Sequence, residues 1–348
     1  MWHSCGTPHT IFGLRTDALR TYQHTSLPPS EIAHTSTDQL NIYSRVSKPF
    51  LQCFITSILS ASAASAQFPH NRKFLKMTTD YDAYFISLRT KYPKATYPEP
   101  ECSTLGAYLN GTTDAQRCAR ELTTYTNRRV PADSKLRIWD LIILVARDFA
   151  ETQDDLVTII TAIRKVPASK QTGGIDWTNV TQSFNEAFRG IYDSVWSQTS
   201  DAVHQRQKLA AGTPELSSQW TNINAFSARL LRAGLMDDLA NGLRLIVETL
   251  ESSSPTTAQL ETHLGAAAAW LEIAGKEIKA GAKETAKYTD WAEKSQVDRS
   301  DEVDNKRLAH WRERLAELSG VEGLSEDIAG SCERAMDALE QAMWEKKK

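Results

Sequence analysis

Three histidines, His204, His263 and His310, carry the side chain best suited to acid–base work or metal binding near neutral pH. Each stands alone. None belongs to an HExxH pair, and none has a His or Cys four residues away, so two ligands never share one helix face. Each reads as a surface histidine or a satisfied core one. The five cysteines, Cys5, Cys53, Cys102, Cys118 and Cys332, are scattered and odd in number, with no CxxC. They read as free thiols in a reducing compartment. The acidic run Asp298, Asp301, Glu302, Asp304 lacks the alternating pattern and closing Glu of a calcium loop. It reads as a solvated loop or helix start. Gly173-Gly174 opens neither GxGxxG nor GxxxxGKT, and no GxSxG elbow occurs. No catalytic residue, cofactor or metal is therefore assigned. Were a metal present, His204, His263, His310 and Cys332 would be the first ligands to test. The sequons at Asn110 and Asn179 matter only in a secreted protein.

One polar group stands apart: Asn222, Asn224 and Arg229, in WTNINAFSARLLRAG from Trp220. On a helix, Arg229 returns to the face of Asn222, with Ala225 between them, while Asn224 points elsewhere. Asn222 and Arg229 can share a partner; Asn224 needs its own. Buried amides must be hydrogen-bonded. The plainer use is a helix-packing network, and a small-molecule pocket is the alternative.

The elements that must position these residues are helices. Apolar residues three and four apart share one helix face. Such stripes run through Leu136, Trp139, Ile143, Ala146 and Phe149, then through Leu156, Ile159, Ile160 and Ile163. Phe184, Phe188, Ile191 and Val195 form another, and Leu239, Leu243, Ile246 and Leu250 a fourth. Leu260, Leu264, Ala267, Leu271, Ala274 and Ile278 follow on an Ala-rich segment, the best helix former. Leu308, Trp311, Leu315 and Leu318 precede the last stripe, Ile328, Cys332, Ala335, Leu339 and Met343. Breakers separate them: PADS from Pro131, Pro167 with Gly173-Gly174, Gly212 to Pro214, Gly234, SSSP from Ser252, and Gly320 with Gly323. No alternating strand run competes. The chain reads as all-α, a multi-helix array or bundle. Trp139, Trp220, Trp270 and Trp311 read as its core anchors. Trp270 is expected to fill the space left by Ala266 to Ala269. Trp177 and Trp291, in breaker-rich or charged surroundings, are less clearly placed.

The motif order WDLIILVARDF (Trp139), WTNINAFSARLLRAG (Trp220), GLRLIVETLE (Gly242), AAAAWLEIAG (Ala266), HWRERLAEL (His310) and AMDALEQAM (Ala335) resembles the fungal family known as domain of unknown function 3632. The resemblance covers roughly residues 136–345. It implies an intracellular, mostly helical fungal protein, and it implies no activity.

Composition bounds the rest. A 348-residue chain with 41% apolar and 24% charged residues is that of a globular protein. Its net charge of −3 offers no basic stripe for nucleic acid. No run reaches the roughly 18 apolar residues of a membrane span. Residues 1–76 differ in character, with three acids against seven Lys/Arg and five of the eight histidines. They read as a disordered or non-native extension, with residues 77–348 as one all-α domain. Two other readings stay open: a mitochondrial transit segment over 1–66, or a secretory signal in FLQCFITSILSASAASAQ from Phe50. The expected location is cytoplasmic, or mitochondrial if the leader is real. The expected function is a protein–protein interaction module with an unidentified protein partner. The alternative is a small-molecule-binding protein or an enzyme whose site is assembled from distant residues. A deep apolar pocket holding polar groups with perturbed pKa values would favour the alternative.

Overall fold

Local signals in the sequence start and stop the helices. Thr256 and Gln259 make a reciprocal capping box: the Gln259 Oε1 accepts from the Thr256 N–H at 2.8 Å, and the Thr256 Oγ1 accepts from the Gln259 N–H at 3.3 Å. That box opens the helical span Thr257–Ala286, which kinks at Ala274 (φ −124°, ψ 21°). Asp304 caps another, its carboxylate accepting from the Arg307 N–H at 2.8 Å. At Gly234 the backbone turns left-handed, with φ +65°. Its N–H donates to the Leu231 carbonyl and the Leu235 N–H to the Leu230 carbonyl, both at 2.9 Å. This Schellman closure needs a residue without Cβ.

The computed structural model describes residues 80–91, 97–129, 134–167, 176–177, 181–206, 214–253, 255–286, 291–297, 299–300 and 302–344. Expectations about residues 1–76, including Cys5, Cys53 and the leader readings, lie outside them. Among the described residues there are eleven α-helices and no strand. They are α1 (Tyr81–Lys91), α2 (Glu99–Leu109), α3 (Ala115–Arg129), α4 (Ser134–Asp148), α5 (Gln153–Ile163) and α6 (Thr181–Arg206). After these come α7 (Pro214–Arg232), α8 (Leu239–Leu250), α9 (Thr257–Ala286), α10 (Asn305–Ser319) and α11 (Glu326–Trp344). No helix among them is long and apolar enough to cross a membrane.

The α9 helix is the hub, packing against α7, α8 and α11. Ala266, Ala267 and Ala268 are fully buried, so small side chains let neighbouring helices approach closely. Trp139, Trp220, Trp270 and Trp311 are each no more than 1% exposed. Trp177 and Trp291 are buried just as completely. The Trp270 ring lies on Gly242 of α8, where an added Cβ would sit 2.7 Å from the ring atoms. The α1–α3 segment contributes Phe85, Leu88, Leu105, Cys118 and Leu122 to the same core. These three helices carry apolar stripes too, at Tyr81, Phe85 and Leu88, at Cys102, Leu105 and Leu109, and at Cys118 and Leu122, which sequence reasoning missed.

Candidate functional site

The structure divides the polar group Asn222, Asn224 and Arg229 in two. Gln153, fully buried at the start of α5, donates through Nε2 to the Ala146 carbonyl at 2.9 Å and the Asn222 carbonyl at 2.8 Å. Its Oε1 accepts from Arg229 Nη1 at 3.0 Å. Asn222 Nδ2 donates to the Arg147 carbonyl at 2.8 Å, and Arg229 Nε reaches Asp154 at 3.1 Å. Asn222 and Arg229 thus meet through one glutamine that joins α4, α5 and α7. Asn224 is separate: its Nδ2 donates to the Trp220 carbonyl, and its Oδ1 accepts from Trp270 Nε1, both at 2.9 Å. Asn222 and Arg229 also line an open groove of about 950 Å³ between α7, α9 and α11. Their hydrogen bonds hold helices together.

The histidines are not gathered. The His204 side chain is outside the described ones. His263 lies on α9 and His310 on α10, and Cys332 lies buried on α11. Among the described residues, no three of His, Cys, Asp and Glu are grouped to hold a metal. Of the acidic run, Glu302 pairs with Lys283 at 2.8 Å and Asp304 caps α10. Asp298 and Asp301 lie outside the described residues.

A buried ion pair is the feature that sequence reasoning missed. Arg307 and Glu251 are 4% and 3% exposed. The guanidinium donates to both carboxylate oxygens, at 2.8 and 2.9 Å. Trp311 Nε1 donates to the same carboxylate at 2.7 Å, as does the Ser295 hydroxyl. Arg307 Nη1 donates to the Ser300 carbonyl at 2.9 Å. Every part of the pair is engaged, so it locks elements and is not free for chemistry. Its signal was legible: Arg307, Trp311 and Leu315 follow each other at intervals of four, placing an arginine on an apolar stripe.

An arrangement of aromatic rings with unpartnered polar atoms beside it lies along α6. Phe184, Phe188, Tyr192 and Trp196 repeat every four residues, giving this helix an aromatic face. Their rings follow one another into Trp220, which lies 4.9 Å from Tyr192 and 5.2 Å from Trp196. The series surfaces at Trp196, 40% exposed, whose ring lies 5.6 Å from the His263 imidazole at an interplanar angle of 35°. Sequence reasoning read Ile191 and Val195 as the continuation of this stripe and missed Tyr192 and Trp196.

Trp196, Leu245 and Glu248 form a wall with a cavity on each side. One, of about 230 Å³, is lined by His263, Thr249, Pro255 and Leu260. The other, of about 440 Å³, is lined by Asn185, Asp193, Asp237, Asp238 and Arg244. Burial sets the electrostatics of both. It pushes the His263 imidazole down to about 4, so the ring is neutral at physiological pH. It pushes the Asp238 carboxyl up to about 6, against hydrogen bonds from Ser227 and Asn241 that favour the charged form. It also raises Tyr192 well above the usual phenol range. Four buried polar atoms near this wall have no hydrogen-bond partner: His263 Nδ1, Trp220 Nε1, Asn185 Oδ1 and Thr199 Oγ1. Native proteins leave few such atoms. Polar side chains, among them Ser200, Ser252 and Gln259, line the smaller cavity beside the apolar Trp196, Leu245 and Leu260, so it can hold a small molecule of mixed polarity.

Fold and site together define an all-α protein with a small aromatic-walled cavity beside a half-buried histidine. The family described as "Protein of unknown function (DUF3632)" matches residues 139–315, and the chain belongs to it. That span contains the whole wall, from Asn185 to His263. Comparison with curated proteins and with solved structures finds no match.

Proposed function

We propose that this protein binds a small molecule, and that the cleft beside Trp196 is its site. The carrying observation is a cleft of about 230 Å³ walled by the Trp196 ring, which lies against the His263 imidazole, and lined by both apolar and polar side chains. Such a concave site of mixed polarity is what small molecules bind. We prefer this reading to the interaction module expected from the sequence: the large exposed apolar residues among those described, Ile86, Trp196, Val297 and Trp344, lie on separate segments of the chain. The free thiols of Cys102, Cys118 and Cys332, all buried, support a reducing compartment such as the cytoplasm.

The test is to purify the full chain and its Trp196→Ala variant from the native host. Each is denatured, and the released small molecules are identified by mass spectrometry. A compound present near one equivalent with the wild type and depleted with the variant is the expected result. No difference between the two extracts, together with no thermal shift from a general metabolite panel, would sink the reading.

A further inference from the structure

We propose that the cleft beside Trp196 takes a single neutral sugar ring. The proposal rests on the small-molecule reading above and names the chemical class of the ligand.

A pyranose has two kinds of surface. Its ring C–H groups make an apolar face, and its hydroxyls make a rim in which each group both donates and accepts. A site that suits it joins a flat apolar platform to neutral hydrogen-bonding side chains.

Trp196 is the platform. It is 40% exposed, yet its ring is held in place, 5.2 Å from the Trp220 ring and 5.6 Å from the His263 imidazole. A ring positioned before the ligand arrives loses little freedom on binding. Its negative face attracts the polarised C–H groups of a sugar. Leu245 and Leu260, both buried, continue the apolar side.

Ser200, Thr249, Ser252 and Gln259 supply the polar side, from α6, α8, the α8–α9 connection and α9. The serine and threonine hydroxyls give and take hydrogen bonds as the sugar's own do. Gln259 Oε1 accepts from the Thr256 N–H and hydroxyl, at 2.8 and 3.0 Å, so its NH₂ is the end that can donate to a ligand. A wholly apolar guest would strip water from these groups and return nothing.

Charge and size exclude the nearest alternatives. No Lys or Arg lines the cleft, so a phosphate or carboxylate would be desolvated beside Glu248 without a counter-ion. An ammonium would have only Glu248, which already has an interaction partner. An apolar cavity of roughly 150 Å³ accepts a benzene-sized guest. At about 230 Å³, this cleft suits one six-membered ring with its substituents.

The experiment titrates the full chain at neutral pH with the methyl glycosides of glucose, galactose, mannose and N-acetylglucosamine. Cyclohexylmethanol, glucuronate and glucosamine are the apolar, anionic and cationic counterparts. Calorimetry reads the affinities, and saturation-transfer NMR reads which ligand protons touch the protein. We expect at least one neutral glycoside to bind about tenfold more tightly than cyclohexylmethanol, the change that one net hydrogen bond supplies. Glucuronate and glucosamine should bind more weakly than that glycoside. Saturation should be strongest on the C–H protons of one sugar face. Trp196→Ala should weaken the glycoside about tenfold, and Trp196→Phe should recover part of the loss. Should the alanine variant not fold, the Trp196 indole N–H resonance of the unaltered protein gives the same information, since it should shift on adding the glycoside. Equal affinity for the glycosides and cyclohexylmethanol overturns the proposal. So does tightest binding of glucuronate or glucosamine, or a glycoside affinity that Trp196→Ala leaves unchanged. If none of the probes binds but a compound is released from the native protein, the sugar class alone falls. If neither occurs, both readings fall.

Discussion

At the scale of single residues, burial and partners decide what each side chain does. Trp270 is fully buried, lies on Gly242 and donates to Asn224. Trp270→Ala removes a large apolar volume and leaves the Asn224 oxygen with only the distant Tyr192 hydroxyl, at 3.5 Å. Such truncations cost about 3–5 kcal/mol. Chemical denaturation should show a loss of that order, and an unchanged midpoint would contradict the packing described. His263 makes a pH-dependent contribution. Its folded pKa, about 4, lies below its ordinary value of 6.5. The unfolded chain therefore takes up a proton first as pH falls. Stability from this group is fully present above pH 6.5 and is lost as pH falls through about 4. Melting temperatures between pH 7 and 4 should fall by a few degrees more for the wild type than for His263→Leu. Parallel curves would show that His263 is solvated.

Two glycines show how elements are built, because the same substitution meets different physics at each. At Gly234 nothing lies within 4 Å of where a Cβ would sit, and the obstacle is the left-handed φ of +65°. Gly234→Ala should cost about 1 kcal/mol through backbone strain alone. At Gly242 the added Cβ would press 2.7 Å from the Trp270 ring. Gly242→Ala should cost about 1–3 kcal/mol through overpacking, and Trp270→Leu should relieve part of that cost. Thermal melts of the three single variants and the Gly242/Trp270 pair separate the two mechanisms. Equal losses at both glycines, or no coupling with Trp270, would refute the distinction.

Periodicity exposed α4 to α6 and α8 to α11 because their apolar residues recur at three and four. Gly234 was legible as a helix end for the same local reason that makes it costly to replace. The contact between Gly242 and Trp270 was not legible, since it joins two helices whose relative placement no local pattern encodes. The site followed the same divide. Asn222 and Arg229 were visible as sharing a face, but Gln153, which joins them, lies some seventy residues away. Trp196 and His263 are separated in the same way, and their stacking exists only once α6 and α9 are packed.

For the whole molecule, the question is what holds the last helices to the hub. The apolar stripes of α10 and α11 bury Leu308, Trp311, Leu315, Cys332 and Leu339, and the Glu251–Arg307 pair ties α10 to the end of α8. Glu251 closes α8, Arg307 stands in the first turn of α10, and Trp311 and Ser295 converge on the same carboxylate. The Arg307 guanidinium also lies 5.1 Å from the Trp291 ring centroid and 5.8 Å from that of Trp311. Desolvating two charges is expensive, and the mutual attraction offsets that cost only while both partners remain. Arg307→Met should therefore destabilise the protein by about 3–5 kcal/mol, because it leaves a carboxylate buried without its counter-ion. Glu251→Leu alone should cost a similar amount. Combining them removes both charges, and the double variant should be more stable than either single one. Recovery should stop short of the wild type, since Trp311 Nε1 and the Ser300 carbonyl lose their partners as well. Denaturant midpoints of the four proteins form a double-mutant cycle that reads the coupling directly. Limited proteolysis adds a spatial reading: Arg307→Met should open the segment 295–304 before α4 or α9. If the single variants lose less than about 1 kcal/mol, or their effects simply add, the pair is not what seats the C-terminal helices, and apolar packing alone must do so.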